Sequence, residues 1–193
     1  PKIVSVFSGC GGLDLGFKLE GYDTVWANDF AEWAVKSFEG YFGKVIRYGD
    51  ITHIDPYTDP DIPCCDIVLG GFPCQDFSIS GKQEGLFTER GKLYQQMLEV
   101  INLQKPVAFL AENVKNILSP KILDENGIKA IDRIKNDFEN LGYNVEVNLV
   151  YAPDYGIPQR RWRVFIVGID RKLNKKFEMP KSHNKIMNSK QAI

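Results

Sequence analysis

The chain has 193 residues, 44% hydrophobic and 25% charged, with a formal net charge of −1. That length and balance fit one globular domain with a core of its own. They exclude a membrane-spanning helix, since no apolar run approaches about 18 residues, and the opening Pro1-Lys2-Ile3-Val4 has no secretory-leader pattern.

Charge is unevenly spread. From Arg171 onward there are seven Lys/Arg and one acidic residue, which leaves 17 basic against 24 acidic residues up to Asp170. A broad basic footprint, as a nucleic-acid surface shows, is therefore local or absent over most of the chain. Cys10, Cys64, Cys65 and Cys74 form no Cys-x-x-Cys pair, and His53 and His183 are not spaced as zinc partners. Free thiols and no metal are expected, in a reducing, cytoplasmic setting.

In chain order, Lys2–Phe7 reads as an apolar strand running into Ser8-Gly9-Cys10-Gly11-Gly12. Leu13, Leu15, Phe17 and Leu19 follow at helical spacing and stop at Gly21. Thr24–Asn28 reads as a second strand, Asp29–Phe38 as a helix and Val45–Arg47 as a weak third strand before Gly49-Asp50. Asp66–Leu69 is a buried strand ending at Gly70-Gly71, and a polar loop covers roughly 72–91. A helix over about 92–103, a strand at Val107–Leu110 and a helix over about 128–141 follow. Asn144–Tyr151 and Trp162–Ile169 have strand composition. Strands alternating with helices predict an α/β domain over residues 1–170: a Rossmann-like, mostly parallel sheet with helices on both faces. Residues 171–193 read as a basic tail or the start of a further region. Ligands of such sheets sit beyond the carboxyl ends of the strands, and four motifs fall there.

The first is Phe7-Ser8-Gly9-Cys10-Gly11-Gly12-Leu13, a glycine turn that lets backbone approach a ligand closely. Asp29 after the second strand is suited to ribose hydroxyls, and Asp50 after the third to an adenine amino group. The turn alone also fits a structural role or a nicotinamide enzyme. The second is Gly71-Phe72-Pro73-Cys74-Gln75, which puts a thiol on a loop stiffened by Pro73. The thiolate is the reactive form, whereas Cys10, Cys64 and Cys65 fit the role of small hydrophobes. The third is Ala111-Glu112-Asn113-Val114, where Glu112 is a candidate general acid or a capping residue. The fourth is Gln159-Arg160-Arg161-Trp162-Arg163, whose Arg161 and Arg163 share one side of a strand. A solvated basic edge is the bland alternative.

Taken in this order, the motifs resemble the cytosine-C5 DNA methyltransferases of the bacterial modification type. Asp76–Lys82, Arg90–Tyr94 and Tyr155–Arg161 extend the likeness from Ile3 to about Gly168. The resemblance implies the S-adenosylmethionine-dependent methyltransferase fold, incomplete at its C-terminus. It implies transfer of methyl from S-adenosylmethionine to carbon 5 of a cytosine flipped out of double-stranded DNA. Cys74 would attack carbon 6. Glu112 would hydrogen-bond ring nitrogen 3, Arg163 would contact the ring carbonyl, and Arg161 would support Glu112 or nearby backbone. Gln75, Ser78 and Asn113 would contact substrate or orient the loop. Phe7, Gly9, Gly11, Gly12 and Leu13 would line the cofactor's methionine part, Asp29 and Phe30 its ribose and adenine, and Asp50 and Ile51 the adenine edge, with Pro73 also among the cofactor-binding residues. Asp29 departs from the family's more usual glutamate and is one methylene shorter. The loop from about Phe77 to Arg90 is expected to close over the base.

The family's target-recognition region and last motif have no counterpart in these residues, so a second polypeptide that carries recognition is one possible partner, and a cognate restriction endonuclease another. A cofactor-binding module without activity and a tRNA cytosine-5 methyltransferase are the alternatives. The single proline before Cys74 favours DNA. The setting implied is the bacterial cytoplasm or nucleoid.

Overall fold

The computed structural model describes residues 1–58, 61–73 and 93–182. Seven strands form one sheet: β1 (Lys2–Val6), β2 (Asp23–Asp29), β3 (Ile46–Tyr48), β4 (Ile67–Gly70), β5 (Ala108–Val114), β6 (Tyr143–Tyr151) and β7 (Trp162–Asp170). Their order is β3-β2-β1-β4-β5-β7-β6. The first five run parallel, and β7 lies antiparallel to both β5 and β6. The chain winds outward from β1 to β3, then restarts at β4 on the other side of β1. The β1/β4 boundary is thus the switch point where such sheets open a crevice.

Four helices cover the sheet: α1 (Gly12–Leu19), α2 (Glu32–Phe42), α3 (Tyr94–Gln104) and α4 (Ala130–Asn140). Alternation along β1 sends Val4 and Val6 to one face. There they join Met97, Val100 and Ile101 of α3 and Ile131, Ile134 and Phe138 of α4 in the main core. On the other face Val35 and Phe38 of α2 pack with Ala27 and Ile46. Helices on both faces of an α/β sheet match the expectation.

Element boundaries differ from the sequence reading, most of all in β2, α2 and β5. β2 continues through Asp29, which pairs with Tyr48. α2 begins at Glu32 and runs to Phe42, whose ring stacks on Phe38 at 4.4 Å. β5 extends to Val114 because β7 pairs with it over seven positions, from Ala108↔Ile169 to Val114↔Arg163. The long antiparallel partner stretches the strand, and no local signal in Glu112-Asn113-Val114 announces it.

Asp14 of α1 is 1% exposed. Its carboxylate accepts Ser5 Oγ at 3.0 Å and Thr24 Oγ1 at 2.8 Å, tying α1 to β1 and β2. Burial nevertheless pushes this carboxyl above its ordinary value of 3.8. The native state therefore holds a proton here at a pH where the unfolded chain has lost it. Stability falls as pH rises from 3.8 through the raised native value, and the full cost is present above that. Asp14→Asn keeps one acceptor and stays neutral. It is expected to be at least as stable as wild type at neutral pH, with the difference shrinking on acidification. Denaturant unfolding at both ends of that range checks this, and an advantage that grows toward acid would contradict it.

Candidate active site

β1 delivers the chain into a turn in which Phe7 (φ 53°), Gly9 (φ 56°) and Gly11 (φ 84°) all take positive φ. Gly11 caps α1 in the left-handed conformation that glycine adopts without steric cost. A Cβ there would also lie 2.5 Å from the Phe42 ring and 2.9 Å from Phe38. Gly11 thus serves packing against α2 as well as the turn. The Gly9 N–H donates to Asp29 Oδ2 at 2.8 Å, and Ala31 N–H donates to Oδ1 at 2.9 Å. Asp29 clamps the turn to the end of β2, with further lone pairs left on both oxygens. Phe30 beside it is 65% exposed, so its ring is free to stack.

Asp50 caps a 3-10 turn over Ile51–His53. The Thr52 N–H and then its hydroxyl donate to this carboxylate and hold it below its usual range. Ile51 is 4% exposed and belongs to the main core. These donors and faces fit an adenosine-containing group: a close-approach backbone turn, an acid with spare lone pairs, an open aromatic ring and a second acid.

A cavity of about 650 Å³ opens where β1, β4 and β5 end and β7 begins. Phe7, Gly12, Leu13, Gly71, Glu112, Arg161 and Arg163 all line it. Gly71 sits between its two halves: a Cβ there would lie 3.7 Å from the Phe7 carbonyl and 3.8 Å from Glu112 Oε2. Glu112 Oε1 and Arg163 Nε pair at 2.5 Å, both side chains partly buried. The register explains the partner. Val114 opposes Arg163, so Arg163 shares a face with Val114 and with Glu112 two residues earlier. The sequence reading offered Arg161 as the support for Glu112, whereas the pairing falls to Arg163. Arg161 precedes the strand and is exposed on the cavity rim.

Asn113 points to the opposite face and is 1% exposed. Its Nδ2 donates to the Phe72 carbonyl at 3.2 Å, and Val114 N–H donates to its Oδ1 at 2.8 Å. It does not line the cavity. It holds the backbone two residues ahead of Cys74. Pro73 is the last described residue of that segment; Cys74, Gln75 and Ser78, with the expected closing loop, lie outside the described residues. Cys10 and Cys64 are exposed, and burial pushes the Cys65 thiol up to about 12. None of these three lines the cavity. Among the described residues no group of His, Cys, Asp or Glu is arranged to hold a metal ion, and no helix is long and apolar enough to cross a membrane.

Sequence reasoning missed one wall of the cavity. Tyr155, Phe177, Met179 and Pro180 line it, and Tyr155 Oη donates to the Pro180 carbonyl at 3.2 Å. The segment after β7 folds back over the sheet face that carries Leu110, Phe165 and Val167. It lacks periodicity because residues 174–182 form neither helix nor strand.

The sheet order, the switch point and a cavity shared by a glycine turn and a carboxylate–guanidinium pair define a Rossmann-like α/β protein with its candidate site at the switch point. Residues 1–193 match the family described as C-5 cytosine-specific DNA methylase, and the chain belongs to that family. Family and fold are those of S-adenosylmethionine-dependent methyltransferases. The chain is 53% identical over 185 residues to Type II methyltransferase M.NgoFVII of Neisseria gonorrhoeae, covering 95% of this chain and 48% of that protein. It is 42% identical over 191 residues to Type II methyltransferase M.MthTI of Methanothermobacter thermautotrophicus, covering 99% and 56%. A crystal structure of a candidate DNA modification methyltransferase encoded within an E. coli prophage superposes with a TM-score of 0.77 at 27% identity, covering 99% of this chain and 53% of that one. The chain spans about half the length of the curated relatives it matches.

Proposed function

We propose that the full-length protein methylates carbon 5 of cytosine in double-stranded DNA. The observation that carries this reading is the one cavity that joins the glycine turn, through Gly71, to the Glu112–Arg163 pair. Family membership and Type II methyltransferase relatives support it.

Phe7, Gly9 and Gly11 to Leu13 hold the methionine part of S-adenosylmethionine, with Pro73 at its edge. Asp29 and Phe30 hold ribose and adenine, and Asp50 and Ile51 border the adenine edge. Bound there, the cofactor supplies a methyl group on a positively charged sulfur. Cys74 forms a bond to carbon 6 of the flipped base, and the displaced ring electrons concentrate at carbon 5. Carbon 5, made electron-rich in this way, would accept the methyl that the bound cofactor would supply. The carbon 5 proton then leaves to a base and Cys74 departs with its bonding pair, restoring the ring double bond. One hard step becomes two easier ones. Glu112 hydrogen-bonds ring nitrogen 3, where negative charge develops, and Arg163 fixes Glu112 and faces the ring carbonyl. Preorganised donors of this kind act most strongly where water is excluded. Arg161 borders the base, Gln75 and Ser78 contact the nucleotide, and Asn113 orients the Cys74 segment through Phe72.

Residues 1–170 form the cofactor-binding and catalytic domain in this reading, and residues from 171 lead toward target recognition, on the same chain or on a second polypeptide. A cognate restriction endonuclease in the same bacterial cytoplasm fits the Type II relatives. Methylation of tRNA is not favoured beside relatives of that kind, and a cofactor-only module leaves the Glu112–Arg163 pair without a use.

Transfer of labelled methyl from S-adenosylmethionine to mixed-sequence duplex DNA tests the reading; label in tRNA but not DNA would replace it. Asp29→Ala is expected to weaken cofactor binding at least about tenfold, or about 1.4 kcal/mol, by titration calorimetry. Unchanged affinity would remove Asp29 from the ribose role.

A further inference from the structure

A second cluster lies at the same end of the sheet, outside the cavity. Tyr151 and Trp162 pair in register across β6 and β7. Their rings stack at 4.4 Å with 24° between planes. The Lys115 ammonium sits 4.7 Å from the Trp162 ring centroid. Lys115 opens the 3-10 turn Lys115–Leu118, which is anchored by the fully buried Ile117. It follows Glu112 by three residues, about 10 Å along extended backbone. Lys115, Arg160 and Trp162 are exposed. Among the described residues Lys115 has no carboxylate partner, although Asp and Glu outnumber Lys and Arg in the chain up to Asp170.

An ammonium on a four-carbon stem normally samples many rotamers, and ordering it costs entropy. Here an aromatic platform, itself braced by a second ring, favours one position. A cation held without a counter-charge, beside the mouth of a pocket for a nucleotide base, is complementary to a phosphodiester. We propose that Lys115 contacts a backbone phosphate of the target strand next to the flipped nucleotide, with Trp162 as its positioning residue. The inference rests on duplex DNA being the substrate. It gives the mostly acidic domain a cation at the point where the strand must be held while the base is out.

The test uses the full-length protein, mixed-sequence duplex DNA and S-adenosylhomocysteine, with affinity measured across a salt series. Lys115→Ala is expected to weaken DNA binding about five- to tenfold at low salt and to lower the slope of log K against log salt by about 0.9, one phosphate contact. Cofactor affinity should not change. Lys115→Arg and Trp162→Phe should retain most of the slope, and Trp162→Ala should lose it in part. Wild-type affinity and slope in Lys115→Ala would overturn the proposal while leaving the methyltransferase reading intact. No salt-dependent DNA binding by the wild type would overturn both. Lys115 is exposed, so its variants decide the matter even where Trp162→Ala fails to fold.

Discussion

Cys74→Ala in the full-length protein is expected to lower methyl transfer by about four orders of magnitude or more, with cofactor affinity within about twofold of wild type. The size follows from the chemistry. Carbon 5 of cytosine is a poor nucleophile until a bond at carbon 6 pushes ring electrons onto it, and none of the described cysteines, Cys10, Cys64 and Cys65, lines the cavity to make that bond. The separation of effects follows from geometry. The turn that would hold the cofactor is built by Phe7, Gly9, Gly11 and Asp29, none of which depends on a thiol. The segment leading to Cys74 is fixed independently, through Asn113 and the Phe72 carbonyl and through the burial of Phe72 against Tyr94. Labelled-methyl transfer and calorimetry on the same preparations check both halves. Turnover within tenfold of wild type would sink the nucleophile assignment.

Gly168→Ala is expected to be the most damaging small substitution in the described chain, costing about 3 kcal/mol or more. Gly168 opposes Phe109 across β7 and β5, and a Cβ there would lie 2.0 Å from Phe109 Cε1 and 2.4 Å from Cζ, far inside van der Waals contact. Phe109 cannot step aside. It is fully buried, stacks on Phe138 at 4.4 Å and meets Tyr143 edge-on at 5.2 Å, and Tyr143 is pinned by its hydroxyl to the Pro106 carbonyl at 2.8 Å. Relief would have to come from the backbone of two central strands. A large fall in melting temperature is expected; a fall of less than about 2 °C would show that the ring has somewhere to go.

The expectation that was legible in the sequence was the layout. Apolar runs ending in glycine or acid, separated by helical spacing, announced the parallel strands and put each motif at a carboxyl end. What stayed hidden depended on pairing across long separations. The antiparallel entry of β7 decides that Arg163 rather than Arg161 meets Glu112, and register between residues about fifty apart is not written in either segment. Asn113 looked like part of the site because of its neighbour, but strand alternation turns it into the core. The strap at Phe177–Pro180 carries no period because it forms no helix or strand. Gly168 read as an ordinary strand residue, because its necessity lies in an aromatic ring on another strand.

The proposed chemistry turns on a covalent bond between Cys74 and carbon 6 of the target cytosine. The most direct measurement uses duplex DNA with 5-fluorocytosine at the target positions, incubated with the full-length protein and S-adenosylmethionine, then denatured and weighed by mass spectrometry. Fluorine cannot leave as a proton does, so the sulfur–carbon bond should persist. A denaturation-resistant species with the mass of protein, DNA and one methyl group is expected, absent without cofactor and absent in Cys74→Ala. Normal methyl transfer to unmodified DNA with no such species, or label found on an exocyclic nitrogen, would contradict it.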